Sequence, residues 1–264
     1  MKYTDAHAHV FEPTLSMETI RRYTPDYVAS VEEFIHHLDE HQMERGILIQ
    51  PSFLGTDNSY MIEAINQYKT RLWGVAVIEP SASEKSLEEL KANNIIGIRL
   101  NLYGKEIPNL NSAEWKSCLA IIKRLDWHVE LHTDACNLPP LIKSLLEQEV
   151  KVVVDHFGKP DTRNPLEDEG FKYLLACGKT DRVWVKISAN YRIGGPVGGK
   201  ELAKKLVPIL LEHFSSNRLL WGSDWPHTQN ESIMTYNKAY EDLKYILPKQ
   251  YWDDVLSRSV DALI

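Results

Sequence analysis

The chain has 264 residues, 43% of them hydrophobic and 25% charged, a balance typical of a globular protein with ample core. A formal net charge of -7 argues against a nucleic-acid footprint and against an acidic membrane surface as a partner. Three widely spaced cysteines, Cys118, Cys136 and Cys177, form neither a disulfide framework nor a zinc knuckle. With no membrane-length apolar run and no signal-peptide pattern, the expected setting is the cytoplasm.

In chain order, β-rich runs fall at residues 3–9, 46–50, 72–78, 95–101, 127–132, 151–156, 183–188 and 219–224. Helical spacing of apolar residues occupies 31–43, 58–69, 87–93, 114–125, 138–149, 171–177 and 202–214, with further helix after Asn230 and over 251–262. Ser30 followed by Glu33 reads as a capping box, and Pro139-Pro140 stand where a first helical turn tolerates proline. Residues 103–109, 162–169 and the glycine-rich 193–199 read as loops. Eight strand–helix units predict an α/β fold, a distorted (β/α)8 barrel forming a single domain over residues 1–264. An open doubly wound sheet is the alternative, but Val10-Phe11-Glu12-Pro13 follows the first strand where that fold carries a glycine-rich turn.

Barrel active sites lie at the carboxyl ends of the strands. The first strand offers His7 and His9, two apart and so on one face. The second ends at Gln50, with Ser52 beyond; the fourth at Arg99 and Asn101; the fifth at His132; the sixth at His156; the eighth at Asp224. Ser188 ends the seventh, with Asn190 and Arg192 in the loop after it. Three neutral imidazoles and one carboxylate make a normal ligand set for zinc or a similar divalent ion, which would acidify bound water to about pKa 7. A further histidine could then shuttle a proton.

His36, His37 and His41 are expected on a solvated helix face, and His213 near a helix end at the surface. His227 would line the pocket or brace its loop. Asp5, Glu130 and Lys186 share inward parity on their strands, so partners within the barrel or a histidine to orient are expected for them. Trp225 is the tryptophan expected beside substrate.

Asp5-Ala6-His7-Ala8-His9, Gly97-Ile98-Arg99, Leu131-His132-Thr133, Val154-Asp155-His156-Phe157-Gly158-Lys159-Pro160 and Leu220-Trp221-Gly222-Ser223-Asp224-Trp225-Pro226-His227 together resemble the amidohydrolase superfamily, in particular its amidohydrolase-2 branch. That branch holds metal-dependent hydrolases, lactonases of pyrone dicarboxylates and sugar acids, and a decarboxylase. The resemblance implies one divalent ion, zinc by preference, on His7, His9, His132 and Asp224, with Asp224 and His156 as catalytic residues. It implies substrate contacts at Ser52, Arg99, Asn101, Arg192 and Gln229, with Lys105 near a further contact position. The fourth-strand lysine that bridges two metals in binuclear relatives is absent here. The pyrone-dicarboxylate lactonases work without metal, so a metal-free route stays open; they carry tyrosine where this chain has His132, a departure that favours a metal here and weakens direct transfer of their substrate.

The expected activity is hydrolysis of a lactone or related cyclic ester of a small carboxylated or polyhydroxylated acid. The alternatives are metal-dependent decarboxylation on the same scaffold, a metal-independent lactonase, or a binding protein without turnover. The expected partner is thus a small anionic or sugar-acid substrate, with a homo-oligomer left open.

Overall fold

A computed structural model describes residues 1–264 apart from the Pro196 side chain. Eight parallel strands run in sequence order: β1 (Thr4–Ala8), β2 (Arg45–Ile49), β3 (Leu72–Ala76), β4 (Ile95–Asn101), β5 (His128–His132), β6 (Lys151–Val154), β7 (Val183–Lys186) and β8 (Leu219–Leu220). The helices between and after them are α1 (Val31–Glu40), α2 (Ser59–Gln67), α3 (Glu84–Ala92), α4 (Ala113–Arg124), α5 (Leu138–Glu147), α6 (Glu169–Ala176), α7 (Gly195–Phe214), α8 (Tyr236–Ile246) and α9 (Ser259–Asp261). This is a (β/α)8 barrel. Among the described residues, no helix is long and apolar enough to cross a membrane.

Helix starts follow their caps. Ser30, Ser83, Ser112 and Thr235 accept a backbone N–H from the third residue on, and Asp168 accepts from Gly170 and Phe171. The strands are short because the chain leaves extended geometry just where the polar residues begin. His156, Phe157 and Lys159 after β6, Ala189 after β7 and Asp224 after β8 all take positive φ, between 45° and 60°. Left-handed backbone at non-glycine residues is uncommon and concentrates at functional sites.

β8 has two residues instead of the six expected, yet the ring closes. Ala6 N–H donates to the Trp221 carbonyl (2.9 Å), Asp224 N–H to that of His7 (2.8 Å) and His9 N–H to that of Trp225 (2.8 Å). Gly222 permits this approach, since a Cβ there would lie 2.4 Å from the His7 backbone nitrogen.

The glycine-rich stretch read as a loop is the first turn of α7. A Cβ at Gly199 would stand 2.1 Å from the Asn190 carbonyl, so glycine serves close packing there rather than looseness. The last helical segment is a π-turn over Asp254–Arg258 leading into α9.

The main apolar core lies between strands and helices. A smaller cluster, including Ile47, Ile49, Val75, Val153, Trp184 and Leu220, joins the C-terminal Val260 and Leu263. Val153 and Trp184 stand two residues before Asp155 and Lys186, so they share a barrel face with those charges and underlie them.

Candidate active site

The carboxyl ends of the strands bring together a buried acid and three imidazoles from distant parts of the chain. Asp224 Oδ1 lies 3.6 Å from Nε2 of His7, 3.6 Å from Nε2 of His9 and 3.9 Å from Nε2 of His156. Its other oxygen, Oδ2, accepts from Arg192 Nε at 2.6 Å and from the Tyr191 hydroxyl. One carboxylate oxygen is therefore fully engaged, and the other faces the histidines. Burial pushes the Asp224 carboxyl up, but its neighbours, the Arg192 guanidinium foremost, outweigh it and hold it well below the usual carboxylate range.

His7, His132 and His156 are neutral at ordinary pH. Burial holds His7 and His132 far below the usual histidine range and His156 down at about 3. Hydrogen bonds orient the rings. His9 Nδ1 donates to the Ile49 carbonyl at 2.7 Å, leaving the Nε2 lone pair toward the site. His156 Nδ1 meets Ser188 Oγ at 2.9 Å.

Beneath this layer lies a second one, wholly buried. Lys186 Nζ donates to Glu130 Oε2 (2.5 Å), stands 3.6 Å from Asp155 Oδ1 and 3.0 Å from His7 Nδ1. Arg99 grips Asp155 Oδ2 with Nε (3.0 Å) and Nη2 (2.8 Å) and reaches Glu130 Oε1 at 3.4 Å. Burial and the adjacent Asp155 push the Glu130 carboxyl up to about 8, against Lys186 and Arg99. Asp155, also desolvated, is held well below its usual range by Arg99, Lys186 and His7. Glu130 and Lys186 thus form the inward pair that strand parity predicts. Asp5 instead accepts from the Ser223 and His7 backbone N–H groups.

The donor atoms of His7, His9 and Asp224 lie within 4.8 Å of one another, as do those of His7, Asp155 and His156. Buried nitrogen and carboxylate donors at that spacing suit a divalent ion, and His7 Nε2 has no hydrogen-bond partner. The first set fits better, because Arg99 already occupies Asp155. His132, expected as the fourth ligand, stands outside both sets. Its Nδ1 faces Asn101 Oδ1 at 3.2 Å, and the His156 ring, 5.3 Å away between centroids, separates it from His7.

A cavity of about 230 Å³ opens above the acid, lined by His9, His132, His156 and Asp224 and by all five expected substrate contacts, Ser52, Arg99, Asn101, Arg192 and Gln229. Lys105 is exposed and does not line it. Arg22, Tyr23, Tyr103 and Lys159 also line it, and Tyr191 anchors the acid from behind; sequence reasoning assigned none of these a role. Lys159 lies within the motif that carries His156 and Tyr191 adjoins Arg192, which was the available signal. Arg22 lies in an aperiodic loop that offers none.

Trp225, expected beside substrate, does not line this cavity. It stacks on Phe34 of α1, 5.7 Å between centroids, in the wall of a neighbouring cavity shared with His37, His227 and Tyr236. His37 and His41 pack on Tyr236 rather than facing open solvent. His227 is buried, with Nδ1 3.3 Å from the Tyr191 hydroxyl.

The Amidohydrolase family model matches residues 4–257. A 2-pyrone-4,6-dicarboxylate hydrolase from Comamonas testosteroni is 31% identical over 235 residues, 84% of this chain and 76% of that protein. A 4-sulfomuconolactone hydrolase from Rhizobium radiobacter is 29% identical over 232 residues, 85% of this chain and 75% of that protein. The crystal structure of a probable 2-pyrone-4,6-dicarboxylic acid hydrolase from Acinetobacter baumannii, with citric acid bound, superposes with a TM-score of 0.96 at 39% identity, covering 100% of this chain and 99% of that one. The matched span runs from β1, with His7 and His9, past the Asp224 turn: the chain belongs to the Amidohydrolase family.

Proposed function

We propose that residues 1–264 form one hydrolase that opens a lactone or related cyclic ester of a small carboxylated acid, of the kind named for its lactone-hydrolysing relatives. The observation that carries this reading is the split role of Asp224. Oδ2 is tied down by Arg192 and Tyr191, so Oδ1 is the free basic site, 3.6 Å from His9 Nε2. Both atoms are acceptors. A water between them would donate one hydrogen to each and turn a lone pair toward the cavity.

In the reaction this water forms a bond to the ester carbonyl carbon and yields its proton to Asp224 Oδ1. With Nδ1 accepting from Ser188, neutral His156 presents Nε2–H to the developing oxyanion. The ring carbon–oxygen bond then breaks, and the departing oxygen takes the proton from Asp224. Arg192 and Arg99 retain guanidinium N–H groups beyond their carboxylate bonds with which to orient the substrate acid group. Ser52, Asn101 and Gln229 supply neutral polar contacts in the cavity wall. A divalent ion, zinc foremost, would be held by His7 Nε2, His9 Nε2 and Asp224 Oδ1 and would supply Lewis acidity toward water and carbonyl. His132 then serves as a cavity-wall contact rather than a ligand. The three free cysteines fit a reducing, cytoplasmic setting.

The test is Asp224→Asn, assayed on 2-pyrone-4,6-dicarboxylate and a panel of sugar-acid lactones with a pH indicator. Loss of the base is expected to cut turnover at least a hundredfold, within the usual range for a general base, with the fold retained by circular dichroism. Near-normal turnover in the variant removes Asp224 from the chemistry. Carbon dioxide release without ring opening would move the assignment to the decarboxylase alternative.

A further inference from the structure

A second cavity lies beside the active site and differs from it in charge. It measures about 570 Å³, within the size range of small-molecule sites. Tyr23 stands in the wall of both cavities. The active-site cavity is lined by Arg22, Arg99, Lys159 and Arg192 against one carboxylate, Asp224. The second is lined by three carboxylates, Asp26, Glu33 and Glu231, and, among the described residues, by no lysine or arginine. That balance disfavours an anion there and favours a cation.

Two of its polar groups are acceptors held in place without a donor. His227 is buried, and the two sides of its ring face different neighbours. The Tyr191 hydroxyl gives its hydrogen to Asp224 Oδ2, so its oxygen accepts from His227 Nδ1–H at 3.3 Å. The lone pair is then on Nε2, on the edge of the ring away from Tyr191, and this buried atom has no hydrogen-bond partner. Glu231 is fixed by three donors on one oxygen: the Tyr23 hydroxyl, the Tyr27 hydroxyl at 2.9 Å and the Gln229 backbone N–H at 3.0 Å all meet Oε1. Against burial, such bonds hold its carboxyl below the usual range. Among the described residues, Oε2 accepts no hydrogen bond.

The rest of the wall suits the same kind of guest. His37, four residues after Glu33 on α1, adds a second buried nitrogen without a partner, Nδ1. Its ring stacks on Tyr236 at 4.8 Å and meets Trp225 at 5.7 Å between centroids. Aromatic walls favour a cation with an apolar body. A bare metal ion fits less well. Among the described residues, donor atoms gathered in threes within 4.8 Å occur at the active site, and no such group includes His37, His227 or Glu231. A primary ammonium is larger than a metal ion, can only donate, and carries three hydrogens for acceptors set further apart.

We propose that this cavity, between α1 and the turn after β8, binds a small organic molecule bearing a primary ammonium group, which donates to Glu231 and His227 Nε2 while its apolar part lies against Trp225 and Tyr236. This does not rest on the lactone hydrolase reading.

Benzylamine, protonated at pH 7, is the probe, titrated into the intact protein by calorimetry. Benzyl alcohol offers the same ring without the charge, and benzyltrimethylammonium the charge without N–H donors. Saturable benzylamine binding is expected at about millimolar concentration or below, about tenfold tighter than for either analogue, as for a charged hydrogen bond. Glu231→Gln should weaken it about tenfold, as should His227→Phe, with folding checked by circular dichroism. Glu63→Gln, exposed on α2, should leave it unchanged. Absence of saturable binding, equal binding of the three probes, or a Glu231→Gln variant that binds like wild type would each overturn the site. Benzylamine binding lost in Asp224→Asn but kept in Glu231→Gln would put the amine in the active-site cavity and overturn it as well.

Discussion

Lys186→Met is the most informative perturbation of the layer beneath the catalytic groups. The side chain is buried, and its loss leaves Glu130 and Asp155 sharing Arg99. Two limits bound the cost. With Glu130 still ionised, an unpaired buried carboxylate costs about 3–5 kcal/mol. With Glu130 protonated, the loss is that of a charge-assisted hydrogen bond, about 1.5–3 kcal/mol. Burial and Asp155 already push Glu130 up to about 8 with the ammonium present, and removing Lys186 moves it higher, so the lower limit applies at pH 7. That corresponds to a fall in Tm of about 3–12 °C for a chain of this size. The sign with pH follows from the raised folded-state value. The folded protein binds a proton that the unfolded chain has released, so stability falls as pH rises until the folded value is passed. Wild type stops losing stability through Glu130 near pH 8, and the variant continues beyond it. The gap between them should widen above pH 8 by up to about 1.4 kcal/mol per pH unit. Urea unfolding at pH 6, 7, 8 and 9 measures this, and adding Glu130→Gln should close most of the gap. A cost constant from pH 6 to 9, or no recovery in the double variant, would refute the assignment of Glu130 as the proton-binding partner.

Gly222→Ala should open the barrel seam. The new Cβ would meet the His7 nitrogen and Cβ at 2.4 Å, mostly unyielding backbone, so a loss of about 1–3 kcal/mol in urea unfolding is expected together with a fall in kcat as His7 moves.

Much of the barrel is legible because a parallel strand is a run of apolar, largely β-branched residues. Ile95–Asn101 is found with the bounds its sequence predicts, and β2 to within a residue. The histidines are legible because alternation places His7 with His9, and His132 with Glu130, on one face. Periodicity stops where left-handed residues begin. Asp224 has φ 60°, and Trp225 after it turns into the helical layer instead of the cavity. The seam at β8 is invisible for a related reason: its hydrogen bonds come from residues 221–225, outside any ladder. Tyr191, Arg22 and Lys159 project from turns and loops, where no spacing rule says which way a side chain faces. His37 and His41 misread as solvated because polarity on a helix face does not reveal an aromatic partner such as Tyr236.

His7 belongs to both layers, and its proton decides what the site can hold. Lys186 Nζ, at 3.0 Å, is nearer to Nδ1 than Asp155 Oδ1, at 3.5 Å. An ammonium can only donate, so in this arrangement Nδ1 accepts and Nε2 carries the hydrogen toward Asp224. A metal needs the opposite tautomer, with Nδ1–H given to Asp155 and the lone pair on Nε2. Zinc binding must then work against the Lys186 contact and against its positive charge. Lys186→Met removes both obstacles, so it should bind zinc more tightly than wild type by about tenfold or more, read by competition with a chromogenic chelator and by elemental analysis after dialysis. His9→Ala in the same background should lose that gain, since it deletes a second ligand. Equal zinc affinity with and without Lys186 would mean that the ammonium does not control the His7 tautomer, and that the buried layer serves stability alone.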